Sequence, residues 1–241
     1  MSVDPFVRWV DALEARHLAD LTFPEVRRGL QALSSLYVER RGRLGTGAAL
    51  EGAGKRAAFA LFYAPIHFLV TREIVRALGA GRPGPRAIVD LGCGTGASGA
   101  AWALEVRGRC HLHAVDRSGW AVEEARRNYD LLGVDARAAR GALDDVPLPG
   151  RGGGILLAWT VNEIEEAGRR GAAALVIEPI ARRAVPWFET WRGAFEAAGG
   201  RADAWRFPAA LPDRLRLLDR AAGLDHRELT ARSLWLPRSR R

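Results

Sequence analysis

Ile88-Val89-Asp90-Leu91-Gly92-Cys93-Gly94-Thr95-Gly96-Ala97-Ser98-Gly99 is the stretch that decides the reading of this chain. A β-branched run reaches an acidic residue, and glycines follow at every second position. Small residues then lead into a helical pattern. Glycine this dense is needed where a backbone turns sharply and a ligand comes close to its main-chain atoms. The stretch predicts a strand, a tight loop and a helix N-terminus, arranged to hold a nucleoside-bearing ligand.

Two loop classes share that description. Gly94, Gly96 and Gly99 match the dinucleotide fingerprint G-x-G-x-x-G. Asp90, Gly92, Gly94 and Gly96 match D-x-G-x-G-x-G, in which the acid stands at the strand end before the first glycine. The dinucleotide register leaves Leu91 to Cys93 unexplained, so the second register is preferred. Further on, Ala114-Val115-Asp116 ends another strand-like run in a carboxylate. A carboxylate there can accept both ribose hydroxyls, and both classes use one. Arg117-Ser118 and the helical pattern of 121–132 favour a methyl donor.

Working outward, residues 5–21 place Phe6, Val10, Leu13 and Leu21 on one helical face, opened by Asp4-Pro5. Residues 24–41 repeat the pattern with Val26, Leu30, Leu33 and Tyr37. Gly42 to Gly54 reads as a loop, and Lys55 to Leu78 as a helix interrupted at Pro65. Residues 1–79 are thus expected to be a helical region, with Gly79 to Pro85 as linker. After it, strand-like and helical runs alternate. Strands are expected at Ala87–Leu91, Cys110–Asp116, Ala136–Arg140, Gly154–Trp159, Ala174–Glu178, Ala202–Phe207 and Leu229–Leu236. Helices are expected near 97–107, 119–132, 161–170, 184–198 and 212–222. The pattern predicts an α/β domain over 86–241, a Rossmann-like, seven-stranded, mostly parallel sheet with helices on both faces.

Composition bounds the rest. The chain has 241 residues with 48% hydrophobic content, enough for a sizeable core. Cys93 and Cys110 cannot form a disulfide framework or a four-thiolate metal site, so a cytoplasmic setting and no metal are expected. Met1 to Pro5 lacks a secretory pattern, and Ala57 to Val70, with Pro65 and His67 inside it, is short for a bilayer span. The net charge of +8 has two readings: an anionic partner such as RNA, or a composition biased toward arginine, with Lys55 the only lysine.

The stretch from Ala87 to Trp159 resembles the class I S-adenosylmethionine-dependent methyltransferases. Strand one with Asp90 to Gly96 is similar to that family's first motif, and strand two with Asp116 to its ribose-binding motif. The resemblance implies S-adenosylmethionine as cofactor. It places Asp90, Gly92 and Gly94 on the methionine side, Asp116 on the ribose, Leu143 or Asp144 beside the adenine and Trp159 near the sulfonium. Cys93, Gly96 and Arg117 complete the candidate cofactor contacts. A narrower resemblance rests on Phe62-Tyr63-Ala64-Pro65, Val161-Asn162-Glu163-Ile164 and Val176-Ile177-Glu178-Pro179. These segments look like the ribosomal small-subunit-associated methyltransferase-like family, which implies rRNA methylation or ribosome assembly. Mitochondrial members carry a cysteine cluster between the last strands; Arg206 to Leu229 has no cysteine, so no iron–sulfur centre is expected.

Asn162 follows strand four, where an amide could orient an acceptor amine, or could cap the next helix. Tyr63, Pro65 and His67 could fold over the cofactor as a lid, or could be polar neighbours of a core of Phe59, Phe62, Phe68 and Leu69; for His67 the core reading is preferred. Cys93 has no sequence neighbour that would lower its pKa, and His111 and His113 lack a third metal ligand. Arg182-Arg183 with Trp187 and Trp191 reads as an amphipathic helix face. The expected function is methyl transfer from S-adenosylmethionine, with RNA or a small-ribosomal-subunit substrate. The alternatives are a small-molecule acceptor, a methyltransferase-like assembly factor without turnover, or a dinucleotide oxidoreductase.

Overall fold

A computed structural model describes residues 4–39, 50–143, 145–159, 172–180 and 187–238, with the backbone alone for 36–39. The chain divides into two compact units, 1–67 with 208–228, and 68–207 with 229–241. The second segment of the helical unit therefore comes from within the range 86–241, between the last two strands.

The larger unit is built on a seven-stranded sheet. Its strands are β1 (Ala87–Leu91), β2 (His111–Asp116), β3 (Ala136–Arg140), β4 (Gly154–Ala158), β5 (Ala173–Glu178), β6 (Arg201–Pro208) and β7 (Glu228–Leu236). They lie in the order β3-β2-β1-β4-β5-β7-β6. β1 pairs in parallel with β2 and β4, β2 with β3, and β4 with β5. β7 runs antiparallel to β5, with Ala174 opposite Leu236 and Glu178 opposite Arg232. β4 and β5 are buried along their whole length, as parallel strands covered on both faces must be. One face packs Val89, Leu91, Ile155, Leu157, Val176 and Leu234 against Phe188 and the half-buried Leu143, Val146 and Leu148. On the other side Trp102 is fully buried and its indole Nε1 donates to the Ala80 carbonyl at 3.3 Å. Strand order reverses between β1 and β4, and at such switch points the carboxyl ends open a crevice.

Within the helical unit, Asp4 caps α1 (Pro5–His17) by accepting the Phe6 N–H at 3.0 Å, with Pro5 in the first turn. α1 buries Phe6, Trp9, Val10 and Leu13. Glu25 ties down the start of α2 (Phe23–Glu39): its carboxylate accepts the Thr22 N–H and hydroxyl, both at 2.7 Å. α2 lies so close to α3 (Ala53–Ala58) that a Cβ on Gly29 would stand 2.2 Å from the Gly54 carbonyl oxygen.

Pro65 does not interrupt the next helix. α3 runs through a π-helical turn, Phe59–Tyr63, into α4 (Ala64–Leu78). The widened turn, with the Ala64 N–H bonded to the Phe59 carbonyl, accommodates a proline that lacks a donor and crowds the preceding turn. Ala53–Leu78 is consequently one helix of 26 residues, long and apolar enough to cross a membrane by length and composition, but 67% of its apolar window is buried within the protein.

Candidate functional site

The site is built where β1 ends. Gly92, Gly94 and Gly96 have φ of 70°, 54° and 81°, the left-handed region that side chains avoid. The chain can therefore double back and enter α5 (Ala97–Glu105) within a few residues. The Gly92 and Cys93 N–H groups both donate to the Val115 carbonyl, at 2.9 and 3.0 Å, and the Gly96 N–H donates to the Cys93 carbonyl at 2.8 Å. Gly92 and Gly94 stay partly exposed while Cys93, Thr95 and Gly96 are buried, so the bare backbone at 92 and 94 forms the open rim.

Asp116 stands across from this rim at the end of β2. Its Oδ2 accepts the Gly94 N–H at 2.9 Å and its Oδ1 accepts the Ser118 N–H at 2.8 Å. Ser118 then caps α6 (Gly119–Leu132) by accepting the Ala121 N–H at 3.3 Å. The carboxylate is half-buried and keeps lone pairs for further donors. Arg117 points outward, and its carbonyl accepts the Arg140 guanidinium at 3.1 Å.

Asp90 lies beneath the loop rather than on it. Strand alternation turns it toward α5, where it is 1% exposed. A Cβ on Gly99 would stand 2.5 Å from its Oδ2, so only glycine fits there. Burial pushes the Asp90 carboxyl up to about 7; the Asp116 charge adds to this and the Gly99 N–H opposes it. Cys93 is buried as well, and its thiol is raised far above its ordinary value, first by burial and then by Asp90 and Asp116. It is not a nucleophile in this state.

Leu143 is half-buried on the sheet face below the crevice. Trp159 follows β4 with φ of 64°, an uncommon backbone conformation for an aromatic residue, while its N–H donates to the Ile177 carbonyl at 2.9 Å. The sheet order thus brings the ends of β1, β2 and β4, with Asp116, Gly92, Gly94 and Trp159, to one side of the sheet. Asp144, Asn162 and Arg182-Arg183 lie outside the described residues. His111 and His113 are far from this rim on β2, ring centroids 4.6 Å apart, with His111 bonded to Asp135 at 3.0 Å. A depression of about 410 Å³ near Arg109 and Asp135 lies at the opposite end of the sheet and holds none of these groups.

Sequence reasoning missed Asn128 and Tyr129, which reach the loop from α6. The Asn128 amide donates to the Thr95 carbonyl at 2.9 Å, and the Tyr129 ring packs against Gly96. The signal was present: Ala121, Val122, Ala125, Asn128, Tyr129 and Leu132 form the buried stripe of α6. An asparagine inside such a stripe needs a buried partner.

The donor set fits an adenosyl cofactor. A half-buried carboxylate suits a ribose diol, and bare backbone suits close approach of a ligand. Among the described residues, Thr95 Oγ1 is buried without a hydrogen-bond partner, a polar atom left over beside the rim. A methyltransferase-domain family model matches residues 88–176. No curated protein matches the chain. Among solved structures, a Nostoc punctiforme protein provisionally assigned as an O-methyltransferase is 15% identical, with a TM-score of 0.52 over 86% of this chain and 72% of that one. A methyltransferase dependent on S-adenosylmethionine from Aquifex aeolicus is 14% identical, with a TM-score of 0.47 over 71% of this chain and 91% of that one. Cofactor-bound Rv0187 from MTB is 18% identical, with a TM-score of 0.48 over 73% and 90%. Residues 88–176 thus match a methyltransferase-domain model, in a fold shared with the Nostoc punctiforme structure.

Proposed function

We propose that this methyltransferase domain acts on RNA or on a ribosome-associated substrate, with its cofactor seated on the rim formed by Gly92, Gly94 and Asp116. Asp116 would accept the two ribose hydroxyls with the lone pairs that the Gly94 and Ser118 N–H groups leave free. The exposed backbone at Gly92 and Gly94 would lie along the methionine portion, with Cys93, Gly96 and Asp90 supporting it from beneath. Leu143, with Asp144 next to it in sequence, would flank the adenine, and Arg117 would stand at its outer edge. Trp159 would border the reacting methyl group.

Bound there, S-adenosylmethionine would supply an activated methyl group, to which an in-line acceptor lone pair could bond as the methyl–sulfur bond breaks and S-adenosylhomocysteine leaves. Little acid–base chemistry is then asked of the protein, whose main task is to position the acceptor. Asn162, just beyond β4, is the proposed residue for that task. An amide can accept a hydrogen bond from an acceptor N–H and so hold its lone pair toward the methyl group.

The observation that carries the RNA reading is the net charge of +8, with Arg and Lys outnumbering Asp and Glu by 36 to 28. The motif resemblances around Asn162 and Glu178 point the same way. The test is transfer of labelled methyl groups onto total RNA, onto small ribosomal subunits and onto a pool of small metabolites. Label in RNA or subunits that is lost in Asn162→Ala supports the proposal. Label in small metabolites alone overturns the RNA assignment.

A further inference from the structure

Given the cofactor seat proposed above, we infer that Asn128 and Tyr129, neighbours on α6, are positioning residues that set the shape of the glycine loop for its cofactor. Asn128 is fully buried, and a buried amide is tolerated only where it is hydrogen-bonded. Its partner is the carbonyl of Thr95, in the middle of the loop. The same peptide is held at its other end, where the Gly96 N–H donates to the Cys93 carbonyl. The Thr95–Gly96 peptide plane is therefore fixed from both sides.

Tyr129 supplies the floor. It is 2% exposed, and a Cβ on Gly96 would lie 2.5 to 2.6 Å from its ring and hydroxyl. Its hydroxyl also stands against the Cys93 thiol. Asp116, on the strand that leads into α6, holds Gly94. Three consecutive loop residues are thus gripped from one strand–helix unit: Gly94 by a carboxylate, Thr95 by an amide and Gly96 by a ring. Between these anchors the Thr95 N–H has no acceptor among the described residues. Fixing the flanking peptides sets the loop's shape before the ligand arrives, which is how preorganisation raises affinity.

Neither residue is placed against the cofactor, so each acts through the loop. The test is titration with S-adenosylhomocysteine of wild-type protein, Asn128→Asp and Asn128→Ser, each accompanied by a thermal melt. Asn128→Asp keeps the shape but turns an acceptor toward the Thr95 carbonyl, and we expect about tenfold weaker binding by protein that still melts cooperatively. Asn128→Ser removes the amide without adding charge and is expected to bind severalfold more weakly; it carries the test if the aspartate variant does not fold. Tyr129→Ala removes the ring under Gly96 and is expected to bind severalfold more weakly. A merely structural role would lower the melting temperature and leave the affinity of folded protein unchanged. That result overturns the positioning role, while a wild-type protein that binds no S-adenosylhomocysteine overturns the cofactor seat itself.

Discussion

Asp90 shows how one residue can be read correctly in sequence and still be misplaced in space. Its order ahead of Gly92 selects the loop class, and that much follows from the pattern. Its burial follows from the alternation of β1 combined with α5 lying on that face, which a pattern of letters does not contain. The consequence is a pH dependence. In the unfolded chain Asp90 ionises near its ordinary value of 3.8, but in the fold only at about 7. Between those values the folded state binds the extra proton, so this group's stabilisation is complete at low pH and is lost as pH rises toward 7. The slope is at most about 1.4 kcal/mol per pH unit. Asp90→Asn keeps an acceptor for the Gly99 N–H and carries no charge. Thermal melts from pH 5 to pH 8 should show wild-type stability declining relative to the variant; parallel curves would remove the buried-acid account. His67 shows the opposite sign: burial pushes its imidazole well below the ordinary range, so its contribution is lost as pH falls below 6.5.

Elements were more legible than their contacts. The capped start of α1, the strand β1 and the helix α6 were all written in local spacing, because caps and apolar periods are local signals. The π-helical turn before Pro65 was not, since proline reads as a breaker and the wider turn that tolerates it leaves no mark in the period. Close approach of two helices is similarly non-local. Gly29 looks like a weak point in α2 until Gly54 is seen against it. Gly29→Ala should cost about 1–3 kcal/mol, although alanine is the better helix former, because the backbone of Gly54 cannot yield. Denaturant titration would show this; a stabilised variant would mean the two helices separate freely. Another local anchor holds the end of α8 (Asp213–Ala221), where buried Asp219 accepts the His226 N–H at 2.7 Å and meets the His226 ring nitrogen at 2.6 Å. Asp219→Ala should cost about 1–3 kcal/mol by leaving both unpaired.

At the scale of the molecule, the sheet order and the glycine loop were legible because each strand and its loop carry local patterns, and their order follows the rules of parallel crossovers. The union of 208–228 with the N-terminal helices was not, because it depends on contacts between segments far apart in sequence. Asn162, the residue chosen for acceptor positioning, and Asp144 beside the expected adenine site rest on sequence alone. The net charge makes a prediction of its own. If RNA is the substrate, affinity for it should fall steeply between 50 and 200 mM salt, with a slope set by the number of phosphates neutralised. A salt-independent affinity would assign the charge to composition.

The proposed methyl transfer requires the nucleoside seat between the glycine loop and Asp116. Isothermal titration of wild-type protein and Asp116→Ala with S-adenosylhomocysteine tests it most directly. The prediction is one site per chain in the wild type, weakened in the variant by about 1–3 kcal/mol, the usual loss when a charged hydrogen-bond partner is removed. Equal affinity in both proteins, or thermal protection by NAD with none by S-adenosylhomocysteine, would contradict it.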